Sequence, residues 1–160
     1  MTTDPRITEW LERIDIVEAR LQAQASEAGG ATPADPDSGE IWERGQLWGH
    51  IAEFVPFWSE QVTDVIDEYR DEPIGFGRSP DRSERQAGID AGLVVSIDVL
   101  WDEVRSDLSD LRHILQALPE GWDLAVGRDG SGNEMTAPTI IERRLVAHLE
   151  EHVAQLETVS

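Results

Sequence analysis

Apolar residues recur at spacings of three and four along this chain, and no stretch sustains the apolar–polar alternation of a half-buried strand. The pattern predicts four amphipathic helices. The first opens at "DPRITEW", with Asp4 placed as its cap and Pro5 at the first helical position. Ile7, Leu11, Ile14, Val17 and Leu21 form its stripe, and "EAGGATPADPDSG" ends it in a Gly/Pro-rich loop. The second runs from about Glu40 to Arg70 and carries Ile41, Leu47, Trp48, Ile51, Phe54, Trp58, Val62 and Ile66. Pro56 lies inside it and removes one backbone donor, which predicts a kink over Ala52 to Pro56.

"DEPIGFGRSPD" then makes a connection, and a third helix is expected from about Asp81 to Ala117. Asp81 and Glu84 have capping-box spacing, and Val94, Ile97, Leu100, Trp101, Val104, Leu108 and Leu111 supply the apolar face. "LPEGWDLAVGRDGSGNEM" reads as the last long loop. The fourth helix begins with Thr136 as cap and Pro138 in the first turn, and continues close to the C-terminus. Four such stripes must be buried against one another, so the expectation is an all-α four-helix bundle forming one domain over residues 1–160.

The fourth stripe holds the first chemical signal. It runs Ile141, Leu145, His148, His152, Leu156, Val159, so two histidines one turn apart lie on the inward seam. That spacing alone is compatible with packing. His50, in "QLWGHIAEF", lies on the seam of the second helix with Leu47, Phe54 and Phe57. Three inward imidazoles need partners for their ring nitrogens, or each bears an unsatisfied burial cost of about 1–3 kcal/mol. A shared metal removes that cost, and three neutral imidazoles are a recognised catalytic zinc set with a fourth position open.

Depth along the helices is consistent with such a cluster. His50 falls about 15 Å into the second helix, and His152 about 12 Å from the chain end, at about 1.5 Å per residue. The depths match when helices two and four run antiparallel, as in an up-down-down-up bundle with a long crossover between helices two and three. The crossover segment spans on the order of 40 Å when extended, which suffices. The fourth histidine, His113, sits near the end of the third helix, where a cation favours the helix dipole, and reads as a surface or capping residue.

Composition narrows the partners. The chain has 33 acidic and 13 basic residues, for a net charge of −20, and all the basic residues are arginine. No basic patch suggests nucleic acid, which such a charge repels. No apolar run reaches the length a bilayer needs and the N-terminus does not read as a secretory signal, so a cytoplasmic protein is expected. The absence of cysteine leaves only nitrogen and oxygen ligands for a metal.

"GQLWGHIAEFVPFW", "FGRSPDR", "LPEGWD" and "MTAPTIIERRLVAHLEEHVAQLE" resemble the DinB-like superfamily, especially actinobacterial members of the mycothiol-dependent maleylpyruvate isomerase type. The likeness covers nearly all of the chain from Glu40 onward. Its most specific element is a helix-two histidine followed about a hundred residues later by His-x3-His. The resemblance implies an up-down-down-up bundle holding a divalent metal, with His50, His148 and His152 as ligands. In the isomerase a glutamate stands at the place of His148, so this sequence matches an all-histidine version.

The function the resemblance implies is transfer of a low-molecular-weight thiol such as mycothiol to a small electrophile, because a metal-bound thiol is held as thiolate. Zinc is the expected metal, and nickel or iron suit the same imidazoles. Two other readings remain open. One is a metal-dependent hydrolase on the same ligands. The other is a non-catalytic helical module that dimerises through a bundle face, and a homodimer is compatible with all three. Glu53 and Glu151 are candidates for a general base or a hydrogen-bond acceptor of the ligands, and Arg78 and Arg144 for holding an anionic ligand.

Overall fold

The computed structural model describes residues 4–79 and 83–159. Helix α1 spans Pro5–Gln24 and begins as its sequence requires. Asp4 Oδ1 accepts a hydrogen bond from the Arg6 backbone N–H at 2.9 Å, and Trp10, Ile14, Val17 and Leu21 are buried along one face.

Helix α2 spans Arg44–Glu68, beginning four residues later than its periodicity suggests. Residues 40–43 are instead drawn across the preceding loop. Thr32 N–H donates to Trp42 O at 2.8 Å, Trp42 N–H donates to Thr32 Oγ1 at 3.0 Å, and Ala31 bridges Glu43. Ile41, expected on the core stripe, is therefore 61% exposed. The helix continues through Pro56, beyond which Ser59 Oγ donates to Val55 O at 2.7 Å.

The region expected to form one third helix divides. Helix α3 covers Ser83–Ala91 and helix α4 covers Ile97–Gln116, with Ser96 Oγ capping the second by accepting from Val99 N–H. The cause is tertiary. Gly92 meets Gly45 of α2 so closely that a Cβ added to it would lie 1.8 Å from the Gly45 carbonyl oxygen, and Gly49 presses likewise against Gly88. A helix continuing past Gly92 would diverge from that contact, so the chain turns and restarts. Val94, assigned to the core face, lies in the turn and is exposed. The expected capping residue Asp81 lies outside the described residues.

The chain is not purely helical. Strands β1 (Ile74–Gly75), β2 (Val126–Arg128) and β3 (Glu134–Thr136) form a sheet in that order, β1 parallel to β2 and β2 antiparallel to β3. The sheet joins the crossover to the segment expected to be a plain loop. Gly127 is needed there, because a Cβ would fall 2.5 Å from Phe76 and 3.2 Å from Val65. The final helix comprises α5 (Ala137–Ile140), a π-helical segment (Ile141–Val146) and α6 (Ala147–Thr158) in unbroken succession.

Side-chain pairs fix the directions of the long helices. Arg13 reaches Glu150 and Arg20 reaches Glu157, so α1 and α6 run parallel. Trp101 meets Gln22 while Arg112 meets Asp15, so α4 runs against α1. Arg44 donates to Val159 O and His50 faces His152, so α2 runs against α6. The resulting order is up, down, down, up, with the seam between α2 and α6 inside the core. None of the described helices is long and apolar enough to cross a membrane.

Candidate metal centre

The α2–α6 seam brings His50, His148 and His152 together. One nitrogen from each lies within 4.8 Å of the other two, close enough for the group to hold one metal ion. His50 and His152 are buried, at 2% and 8% exposure, and His148 is partly buried. The ring centroids of His148 and His152 are 4.5 Å apart, as one helical turn dictates, and that of His50 is 4.6 Å from that of His152.

Each ring is oriented by a neighbour. His152 Nδ1 is 2.5 Å from Gln155 Oε1, which leaves Nε2 for the cluster. Phe54 stacks on His148 with centroids 4.2 Å apart and planes inclined by 17°. Trp42 packs edge-on to His50 at 5.3 Å. His50 Nδ1 lies 3.3 Å from Glu53 Oε2, but its alignment falls short of a hydrogen bond, and it has none among the described residues. The other oxygen of Glu53 pairs with Arg78. Glu53 is thus a buried carboxylate between a histidine and an arginine, and not the solvent-facing residue its helical position allows.

Electrostatics favour neutral rings. Burial first, then the other two histidines and the arginines Arg85 and Arg78, push His50 down to about 2. Burial lowers His148 to about 4, with Arg144, Arg85 and Arg78 adding to the effect against a backbone hydrogen bond to Arg144. Burial and then His148 lower His152 to about 3, against the Gln155 hydrogen bond. Three unprotonated imidazoles suit a borderline-soft dication.

The centre opens to solvent through a cavity of about 300 Å³ walled by Trp58, Arg78, Arg85, Arg144 and Glu151. A second cavity of about 470 Å³ shares Trp58, Arg78 and Arg144 and extends to Asp129 and Ser131 of the β2–β3 turn. Gly77, at φ +87°, supplies the backbone turn before Arg78, and its N–H donates to Gln61 Oε1 at 2.7 Å. Arg144 comes from the π-helical segment, whose wider turn sits one residue before the helix of the two histidines. On the other side, the loop over residues 32–40 closes a cavity of about 770 Å³ against His152 and Gln155.

Of the residues singled out in the sequence, the three histidines, Glu53, Arg78, Arg144 and Glu151 all lie at this place, with Glu151 exposed on the rim. His113 is exposed in the last turn of α4 and belongs to no part of it. Sequence reasoning missed Arg85, Trp42 and Gln155. Only Gln155 carried a signal, since it follows His152 by three residues and so shares its face.

No protein-family model matches the sequence, and no curated protein matches it. Among solved structures, the chain is similar to the mycothiol-dependent maleylpyruvate isomerase at a TM-score of 0.67 and 15% identity, over 94% of this chain and 60% of that one. A histidine-to-alanine mutant of that enzyme superposes with a TM-score of 0.66 at 16% identity, over 96% of this chain and 62% of the mutant's. The chain thus spans about three fifths of the length of these structures, and the likeness is one of fold, the same arrangement of helices.

Proposed function

We propose that this is a divalent-metal protein that uses a low-molecular-weight thiol, of the mycothiol type, as nucleophile toward a small electrophile. The observation that carries the reading is the convergence of three neutral, buried imidazoles with ligand nitrogens within 4.8 Å of one another, beside a solvent-connected cavity. Zinc suits a three-nitrogen set with one position open. A metal so held would supply a thiolate at neutral pH from an incoming thiol.

The chain's own residues do the positioning. Phe54 and Gln155 orient two of the imidazoles, and Glu53 stands where it can accept a proton-bearing Nδ1 of His50. Trp58, Arg78 and Arg144 line the cavity beside the histidines. The chain has no cysteine, so any sulfur nucleophile must enter as a small molecule. The named enzyme's use of mycothiol supports that identity of the thiol.

The test is metal content of tag-free protein, followed by thiol binding. About one zinc per chain is expected, lost in each of His50→Ala, His148→Ala and His152→Ala. Mycothiol added to cobalt-substituted protein is expected to produce a sulfur-to-metal charge-transfer band. Stoichiometric metal without that band favours hydrolysis, and no metal after reconstitution removes the enzyme reading.

A further inference from the structure

Arg78 stands on the wall of the metal cavity, yet its side chain is only 9% exposed and its charge is already engaged. The guanidinium lies over the Phe57 ring at 3.9 Å and pairs with Oε1 of Glu53. The segment that delivers it is fixed just before it. Phe76 N–H donates to Arg128 O at 3.1 Å, its ring is buried edge-on to Trp58, and Gly77 N–H donates to Gln61 Oε1 at 2.7 Å. The crossover therefore aims this arginine at Glu53.

Glu53 is held as closely. Its side chain is 10% exposed, and it is on no wall of the three cavities described at the centre. Gly88 of α3 makes room for it, since a Cβ there would lie 2.4 Å from Glu53 Cγ. A carboxylate away from those walls meets no substrate in them. What Glu53 does reach is His50, whose Nδ1 is 3.3 Å from Oε2. A buried carboxylate must be compensated by a cation and by donors. Here Arg78 meets one oxygen and the imidazole stands at the other.

We infer that Glu53 and Arg78 are a positioning pair for the metal: Glu53 accepts a hydrogen bond from Nδ1–H of His50, which leaves Nε2 as the ligand nitrogen, and Arg78 holds Glu53 in place from the crossover. This deepens the proposed function and rests on it for the metal that His50 serves. A ligating imidazole donates from its second nitrogen to a fixed acceptor, and loosening that acceptor weakens the metal. His152 has its acceptor in Gln155, and His50 has Glu53 in the same role. The fixed fork of a guanidinium suits the holding task better than the flexible ammonium of lysine. Because Arg78 comes from the crossover, α2 alone does not set the orientation of His50.

The experiment reads the ring itself in metal-free protein labelled with nitrogen-15 histidine. Long-range proton–nitrogen correlations report which nitrogen carries the proton, and His50 is assigned through His50→Gln. Wild-type His50 is expected in one form, protonated at Nδ1. Glu53→Ala and Arg78→Ala should each leave a mixture of the two tautomers and weaken zinc by about tenfold or more, measured by chelator competition. Glu53→Gln keeps an amide oxygen in place, so it should restore the Nδ1–H form and recover part of the affinity. Arg143→Gln, which removes the same charge from an exposed position, should change neither. Where an alanine variant does not fold, Arg78→Lys carries the test, with a partial loss of both expected. Mixed tautomers in the wild type, or wild-type tautomer and zinc affinity in the Glu53 and Arg78 variants, overturn the assignment. Weaker zinc with an unchanged tautomer marks a structural role and also overturns it. The tautomer is read without metal, so a chain that binds no zinc removes the proposed function while the role of the pair is still decided.

Discussion

Phe54 lies flat against His148, with ring centroids 4.2 Å apart, one turn from His50 on the opposing helix. The contact matters because His148 is the least buried of the three histidines and has no side-chain acceptor such as Gln155 gives His152. The phenyl face and the backbone hydrogen bond to Arg144 together hold its ring toward the cluster. Phe54→Leu keeps an apolar side chain there and costs about 1–2 kcal/mol of stability. It is expected to weaken zinc about tenfold, in the range typical of residues that orient metal ligands. Competition with a chromogenic chelator measures this, and an unchanged affinity would show that the stacking does not orient the ring.

The parts of this arrangement that were legible in the sequence are those set by local periodicity. His148 and His152 share a face because they are four residues apart, and Leu47, His50 and Phe54 place His50 on the inward seam of α2. What escaped depends on contacts distant in sequence. The break after Ala91 follows from Gly92 touching Gly45, and periodicity carries no trace of that approach. Strands of two or three residues are too short to show alternation, so the sheet was hidden in a Gly-rich loop. Arg85 reaches the cavity because α3 is a separate short helix against α2; with the region read as one long helix, nothing pointed to it.

The histidines also set how the metal-free protein responds to acid. Their folded values of about 2, 4 and 3 lie below the unfolded value of about 6.5, so the native state binds fewer protons than the unfolded chain. Their contribution is fully present above about pH 6.5 and is lost as pH falls toward the folded values, at up to about 1.4 kcal/mol per pH unit for each ring. Carboxylates lowered by arginine, such as Glu142 beside Arg13, act lower, below about pH 4. Urea unfolding at several values between about pH 7 and pH 5 should therefore show stability falling, and His148→Gln should reduce the slope by about one proton. An identical slope in the variant would mean that His148 is not held neutral in the fold.

Asp107 behaves in the opposite sense. Burial between α4 and the Pro56 region of α2, then the charges of Asp110 and Glu103, push its carboxyl up to about 6. A raised folded value means the ionised carboxylate opposes folding at neutral pH, and the penalty fades as pH falls from about 6 to about 4. Asp107→Asn is expected to stabilise the protein by on the order of 1 kcal/mol near pH 7, after allowance for solvent screening, and to give no gain near pH 4. Paired denaturation curves at the two pH values check this. A gain independent of pH would assign the effect to packing instead of charge.

A glycine contact joins α2 to α3 and the turn that follows it. A Cβ on Gly92 would lie 1.8 Å from Gly45 O and 2.9 Å from Gln46 N, so Gly92→Ala must push α3 off α2. The obstacle is backbone and cannot swing aside as a side chain can, so a loss of about 1–3 kcal/mol is expected. The same displacement moves Arg85 on α3 and loosens α2 little more than a turn from His50, and so should also weaken zinc. Gly75→Ala is the matched control, since its added methyl meets nothing within 4 Å and its φ is not positive. Thermal melts and chelator competition are read together on both variants. Lowered stability with wild-type zinc affinity in Gly92→Ala would show that α3 holds the fold without shaping the metal site, whereas a joint loss ties the two.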